Sequence, residues 1–291
     1  MSIIIALLIF SLIVLFHEFG HFLLAKKNGI TVVEFSLGMG PRLLSFDKGG
    51  TKYSWKLLPF GGSCMMLGED EGTMEPGAFA AASVWARISV IAAGPVFNFI
   101  LAFVLSMFII GSIGYDKPVI LQVSDGYPAA EAGLKEGDIV KKINHSNIHV
   151  AREVTNYVTF HQKQSVTMTV ERDGKDITVQ MDPVANESGR YIFGISCSSN
   201  YREKCGILGT LKYSAYWIQL TIESIKMLFT GQASINDMSG PVGVVSYIGE
   251  TYQESQSSGG FYVWLNMLNI SIFLTANLGV MNLLPIPALD G

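Results

Sequence analysis

Three long stretches without charge decide what this chain can become. From the N-terminus to Phe16 there is no charged residue, and Ile3–Phe16 is apolar except for Ser11. The apolar character resumes through Phe22-Leu23-Leu24-Ala25 and stops at Lys26-Lys27. A helix crosses a bilayer with about 20 residues, so residues 3–25 suffice. The stretch lacks the basic start and small-residue cleavage site of a signal peptide and reads as a retained span. Two further windows qualify: residues 88–114, between Arg87 and Asp116, and residues 261–289, between Glu254 and Asp290. The third is dotted with Asn266, Asn269, Asn277 and Asn282. Such amides are costly against lipid and should face protein or a cavity.

Composition agrees. Of 291 residues 49% are apolar and 15% charged, against about 25% charged in ordinary soluble domains. A net charge of −4 and a pI near 5.7 exclude the basic surface of a nucleic-acid binder. Three cysteines are too few for a disulfide scaffold. The basic residues fix the orientation. Lys26, Lys27, Arg42, Lys48, Lys52, Lys56 and Arg87 all lie between the first two spans. The positive-inside rule puts that segment in the cytoplasm, and the N-terminus and residues 115–260 outside.

Residues 30–37, 42–46 and 52–58 read as strands, with Lys48-Gly49-Gly50 as a hairpin turn. Pro59 and Gly61-Gly62 are expected to end that sheet. Leu57-Leu58-Pro59-Phe60 and Cys64-Met65-Met66-Leu67 are apolar enough to predict a hairpin dipping towards the membrane. Residues 116–197 read as a compact α+β domain, with a helix over 150–161 and a tight hairpin at Asp173-Gly174. Its segment Pro128-Ala-Ala-Glu-Ala-Gly-Leu-Lys-Glu-Gly-Asp-Ile-Val resembles the circularly permuted bacterial PDZ family, whose members bind peptide ends or strands. Residues 207–229 alternate at helical spacing and read as an interfacial amphipathic helix. Residues 230–260, rich in Gly and Ser, read as loop.

The chemistry sits in the first span. His17-Glu18-Phe19-Gly20-His21 places two imidazoles one helical turn apart, able to reach one metal, with a carboxylate beside them to take a proton from water. Ionisable residues within a span are costly and default to a functional role. A catalytic zinc needs a third protein ligand and an open position. Asp290 borders the third span; alone it reads as a helix-end charge, and beside the His-Glu-His cluster as that ligand. His145, His149 and His161 lie in the soluble domain and read as surface side chains.

His17–His21, Gly94-Pro95 with Asn98, the inserted PDZ-like domain, Ser239-Gly240-Pro241 and Asn282-Leu-Leu-Pro-Ile-Pro-Ala-Leu-Asp-Gly291 follow one another in this order. Together they resemble the site-2 protease family of intramembrane metalloproteases, on the bacterial regulator-of-sigma-E protease branch. The resemblance implies a Zn2+ cofactor held by His17, His21 and Asp290, with Glu18 catalytic and Asn282 orienting the substrate or stabilising an oxyanion. It also implies a membrane-associated β-loop that pairs with substrate as an extended strand. Family members usually continue past Leu-Asp-Gly into a fourth span, so a sequence ending at Gly291 reads as shortened.

The expected fold is thus a multi-span α-helical membrane protein with three spans, a membrane-associated β-hairpin or sheet and an inserted α+β PDZ domain. Its expected parts are the first span (1–27), β-loop region (28–86), second span (87–115), PDZ domain (116–198), amphipathic helix and loop (199–260) and third span (261–291). The expected function is zinc-dependent cleavage of single-span membrane proteins in a bacterial inner membrane, such as an anti-sigma factor or remnant signal peptides. The PDZ domain would take a peptide or substrate segment, the lipid bilayer would be the medium, and no nucleic acid would be bound. Two rivals use the same residues, a non-catalytic PDZ scaffold and a metal transporter. Neither needs a base next to two ligands. Cys197 and Cys205 share the outer side, where a disulfide can form; Cys64 lies on the reducing side.

Overall fold

A computed structural model describes residues 2–69, 73–161, 164–186, 191–197, 202–229 and 241–283. These fall into two compact units, one built from the first 106 residues with the last two helices, the other starting at Met107.

Helix α1 runs Ser2–Lys27. Its two C-terminal lysines lie where the helix dipole favours positive charge. Gly29, at φ +74°, turns the chain out, while Asn28 Nδ2 and the backbone N–H groups of Asn28 and Ile30 satisfy the last carbonyls, those of Leu24 and Ala25. Strands β1 (Val32–Lys48) and β2 (Thr51–Met66) follow as an antiparallel pair around the Gly49-Gly50 turn. Their register is double. Glu34–Leu37 has partners in Gly62–Met65 and again in Lys52–Trp55, while Arg42–Lys48 pairs with Thr51–Lys56. Each strand therefore folds back on itself, β1 at Gly38 and Gly40 and β2 at Gly61, all with positive φ. The sheet does not end at Pro59 as the sequence predicts. Pro59 sits in the bend, and a further arm, Gly62–Met66, returns to Glu34–Leu37.

Buried Glu34 anchors this sheet. Arg42 donates to both its oxygens at 2.7 and 3.1 Å, and Lys56 Nζ lies 3.7 Å away. The Arg42 guanidinium is the main reason that the Glu34 carboxyl is held down to about 2, against the cost of burial. Met39, Leu43, Leu44, Phe46, Trp55, Leu57 and Leu58 stay exposed on the hairpin.

Helix α2 covers Val84–Ile113 with Pro95 inside it. The Ser83 hydroxyl accepts the Ala86 N–H at its start, and Gly114, at φ +82°, ends it.

The second unit continues with β3 (Tyr115–Asp116), β4 (Ile120–Val123), α3 (Pro128–Glu131), β5 (Ile139–Ile143), β6 (Ser146–Asn147), α4 (Ala151–Phe160), β7 (Val166–Arg172), β8 (Lys175–Met181), β9 (Val184–Ala185), β10 (Tyr191–Ile192), β11 (Ile195–Cys197), β12 (Arg202–Glu203) and α5 (Ile207–Phe229). A four-stranded sheet of order β6-β5-β7-β8 and the pair β11-β4 enclose a core including Ile120, Val140, Ile143, Met168 and Val170. The Asp173-Gly174 turn has both residues at positive φ, as a two-residue hairpin requires. Asp138, 1% exposed, takes two hydrogen bonds from Arg172, both at 2.7 Å, and one from the Lys135 N–H. His145 is exposed; His149 and His161 are half-buried, stacked on Tyr216 and Tyr157. Cys197 and Cys205 are free thiols.

Helix α6 (Pro241–Gln256) occupies part of the stretch that composition assigns to loop. Gly and Ser set a low propensity, but Val244, Val245 and Ile248 supply apolar side chains, and Ile248 is fully buried. Helix α7 (Gly260–Met281) is shorter than the 261–289 window. Asn266 of α7 donates to the Ser255 hydroxyl, so this amide faces protein. Among the described residues α1, α2 and α7 are the helices long and apolar enough to cross a membrane.

Candidate metal centre

His17 and His21 lie on one face of α1, 4% and 7% exposed, with their Nε2 atoms 3.1 Å apart. The His21 Nδ1–H donates to the Val90 carbonyl at 2.8 Å. A carbonyl only accepts, so this bond fixes the tautomer and leaves a lone pair on His21 Nε2. The Asn98 amide lies 3.0 Å from His17 Nδ1, and Asn282 Nδ2 lies 3.1 Å from His17 Nε2. Glu18 Oε2 accepts the Cys64 N–H at 2.8 Å, which ties the returning arm of β2 to α1.

Space for the imidazoles comes from a missing side chain. A Cβ on Gly94 would stand 2.3 Å from His21 Nε2 and 2.6 Å from His17 Nε2. Pro95 follows and has no N–H to give the preceding turn, so the Gly-Pro pair loosens α2 where it meets the histidines. Gly20 works the other way round: a Cβ there would be 2.5 Å from the Ala93 carbonyl oxygen. Two glycines thus bring α1 and α2 together at the level of the site.

The donor set fits zinc. Two nitrogens bound at about 2.05 Å in a tetrahedron lie about 3.3 Å apart, and the observed 3.1 Å is close to that. Among the described residues no third His, Cys, Asp or Glu joins them; Asp290 lies outside the described residues. The structure thus brings Asn282, 265 residues along the chain, to His17 of the His17–His21 pair.

The sequence pattern of peptidase family M50 matches residues 5–291. The chain belongs to peptidase family M50. The site-2 protease resemblance of its motifs is therefore a family membership, and with its three apolar helices the chain is a multi-pass membrane protein. A protein of Clostridium acetobutylicum, whose name proposes a zinc metalloprotease, is 36% identical over 295 residues, covering 100% of this chain and 84% of that one. The regulator of sigma-W protease RasP of Bacillus subtilis is 29% identical over 373 residues, covering 98% of this chain and 86% of its own. Among solved structures, the PDZ domain of an SdrC-like protein of Listeria monocytogenes is 21% identical, with a TM-score of 0.26, covering 28% of this chain and 87% of that one.

Sequence reasoning missed the contacts that position the M50 motif. The Cys64 N–H and the Val90 carbonyl are backbone groups and leave no side-chain signature. Gly94 and Asn98 stood in the sequence as a motif, without the roles that their distances now give them.

Proposed function

We propose that the chain is an intramembrane zinc endopeptidase that cuts single-span membrane proteins. The observation that carries this reading is the pair of buried histidines whose Nε2 atoms converge, with the next residue after His17 a carboxylate held by a strand amide. His17, His21 and Asp290 would hold the zinc. When bound, it would supply Lewis acidity towards water and the scissile carbonyl. Glu18 takes a proton from the attacking water and passes it to the leaving amine. Asn282, beside His17, steadies the carbonyl oxygen as charge develops on it.

A helical substrate must unwind before its carbonyls can be attacked. The arm Gly62–Met66 pairs with Glu34–Leu37 on one side and carries the amide that holds Glu18. An unwound segment adding to that edge would regain main-chain hydrogen bonds next to the base. The exposed apolar side chains of the hairpin favour its lying in the bilayer surface. The lysines and arginines between the first two spans favour a bacterial inner membrane with that hairpin on the cytoplasmic side, and the N-terminus and second unit outside. The second unit would act as a PDZ domain that takes a peptide end or substrate segment. A relative named for regulating sigma-W favours an anti-sigma factor as substrate; remnant signal peptides fit the same chemistry.

The test measures zinc content and cleavage of a single-span reporter in proteoliposomes. The wild-type chain should hold one zinc per chain and cleave. Glu18→Gln should keep the zinc and lose about 100-fold or more in rate. A zinc-free wild type, or a Glu18→Gln chain that cleaves at the wild-type rate, would overturn the reading.

A further inference from the structure

We infer that Asn98 is the positioning residue of His17, setting by its side-chain oxygen the tautomer that lets this histidine bind zinc. The inference rests on the zinc reading above and adds a residue to it.

Neutral imidazole carries one proton, on Nδ1 or on Nε2. His21 has its proton held on Nδ1 by the Val90 carbonyl. For His17, the Asn98 amide lies 3.0 Å from Nδ1. An amide presents either end. With NH2 towards Nδ1 it donates, the imidazole proton moves to Nε2, and the nitrogen facing His21 has no lone pair for a metal. With oxygen towards Nδ1 it accepts, and Nε2 is bare.

Metal binding selects between the two, since only a bare Nε2 can take zinc. Asn98 is fully buried, and with its nitrogen on His17 its Oδ1 has no hydrogen-bond partner among the described residues. An orphaned buried acceptor costs about 1–3 kcal/mol. Turning the amide by half a rotation gives that oxygen a donor, the His17 Nδ1–H, and creates the metal-competent tautomer in one movement, with the NH2 taking the oxygen's former place. The residue that does this is held firmly. The Asn98 carbonyl accepts the Thr275 hydroxyl of α7 at 3.3 Å, and a Cβ on Gly279 would stand 3.3 Å from Asn98 Cβ. Helix α7 thus packs directly on the residue that orients His17.

The experiment uses the full chain in detergent and reads zinc affinity by competition with a chromophoric chelator, independent of any substrate. Asn98→Leu removes the acceptor at similar volume; Asn98→Asp keeps an acceptor oxygen in the same place. Loss of such an outer partner weakens metal binding about 10–100-fold. The expected result is that loss in Asn98→Leu, with Asn98→Asp within about threefold of wild type. Equal affinities for wild type and Asn98→Leu would overturn the inference, and so would equal weakening in both variants, which would make the role one of packing. Should Asn98→Leu fail to fold, 15N spectra of histidine-labelled, zinc-free wild type and Asn98→Asp decide. A protonated His17 Nδ1 in both supports the inference, and a bare Nδ1 overturns it. A wild type that binds no zinc would refute the zinc reading itself and is told apart from these outcomes by the first titration.

Discussion

A methyl group on Gly94 would stand 2.3 Å from His21 Nε2. Alanine suits a helix interior better than glycine by about 1 kcal/mol, so Gly94→Ala should not weaken α2 as a helix. It should instead push the two imidazoles off their common point. The expected outcome is a chain that stays folded, loses its zinc and cleaves about 100-fold more slowly or worse. Normal zinc content in this variant would mean that the close approach of α2 is not needed.

The Glu34–Arg42 pair gives the hairpin a defined pH response. The folded carboxyl sits near 2 instead of its ordinary 4.5. A depressed carboxylate contributes stability that is full above 4.5 and is lost as the pH falls towards 2. Proteolytic protection of the hairpin should therefore decline between those values. Glu34→Gln should flatten the decline and cost about 2 kcal/mol at neutral pH. An unchanged acid profile in Glu34→Gln would show that another group sets it.

In the second unit, Arg172→Ala would leave Asp138 buried with its Lys135 amide bond but without the guanidinium. Removing the cation leaves a buried carboxylate without its main partner, which destabilises the domain. Hydrogen exchange across β5, β7 and β8 should accelerate accordingly in the full chain. Unchanged protection there would show that water or another cation replaces Arg172.

Burial, helped by the nearby Glu18 and Glu69 carboxylates, pushes the Cys64 thiol up to about 12. Only the thiolate reacts. At pH 7.5 the folded chain should label at Cys64 at least about 100-fold more slowly than at Cys205, and the difference should vanish on unfolding. Comparable labelling of both in the folded chain would contradict the burial of this arm.

The sequence made the spans legible because a charge-free run has few other fates, and His17-Glu18-x-x-His21 legible because a helix puts i and i+4 on one face. The Asp173-Gly174 hairpin was readable for a similar local reason. Two things were not. Pro59 and Gly61 look like a sheet terminus, yet positive φ at a glycine can equally fold a strand back, and only the pairing of Gly62–Met65 with Glu34–Leu37 decides. Residues 241–256 look like loop from their Gly and Ser, but packing overrides propensity, and α6 buries Ile248. The site showed its chemistry and hid its supports, because backbone donors and acceptors look alike at every position.

The residues around the first helix are separated from it by very different lengths of chain. Cys64 lies 46 residues from Glu18, Asn98 lies 81 from His17, and Asn282 lies 265 from His17. A ribosome delivers α1 well before α2, and α2 well before α7. During its own insertion, therefore, the histidine-bearing helix shares the bilayer with half-made neighbours before the parts that orient it exist. Order of synthesis becomes a timer, and the histidines gain the neighbours that orient them only as the later helices arrive.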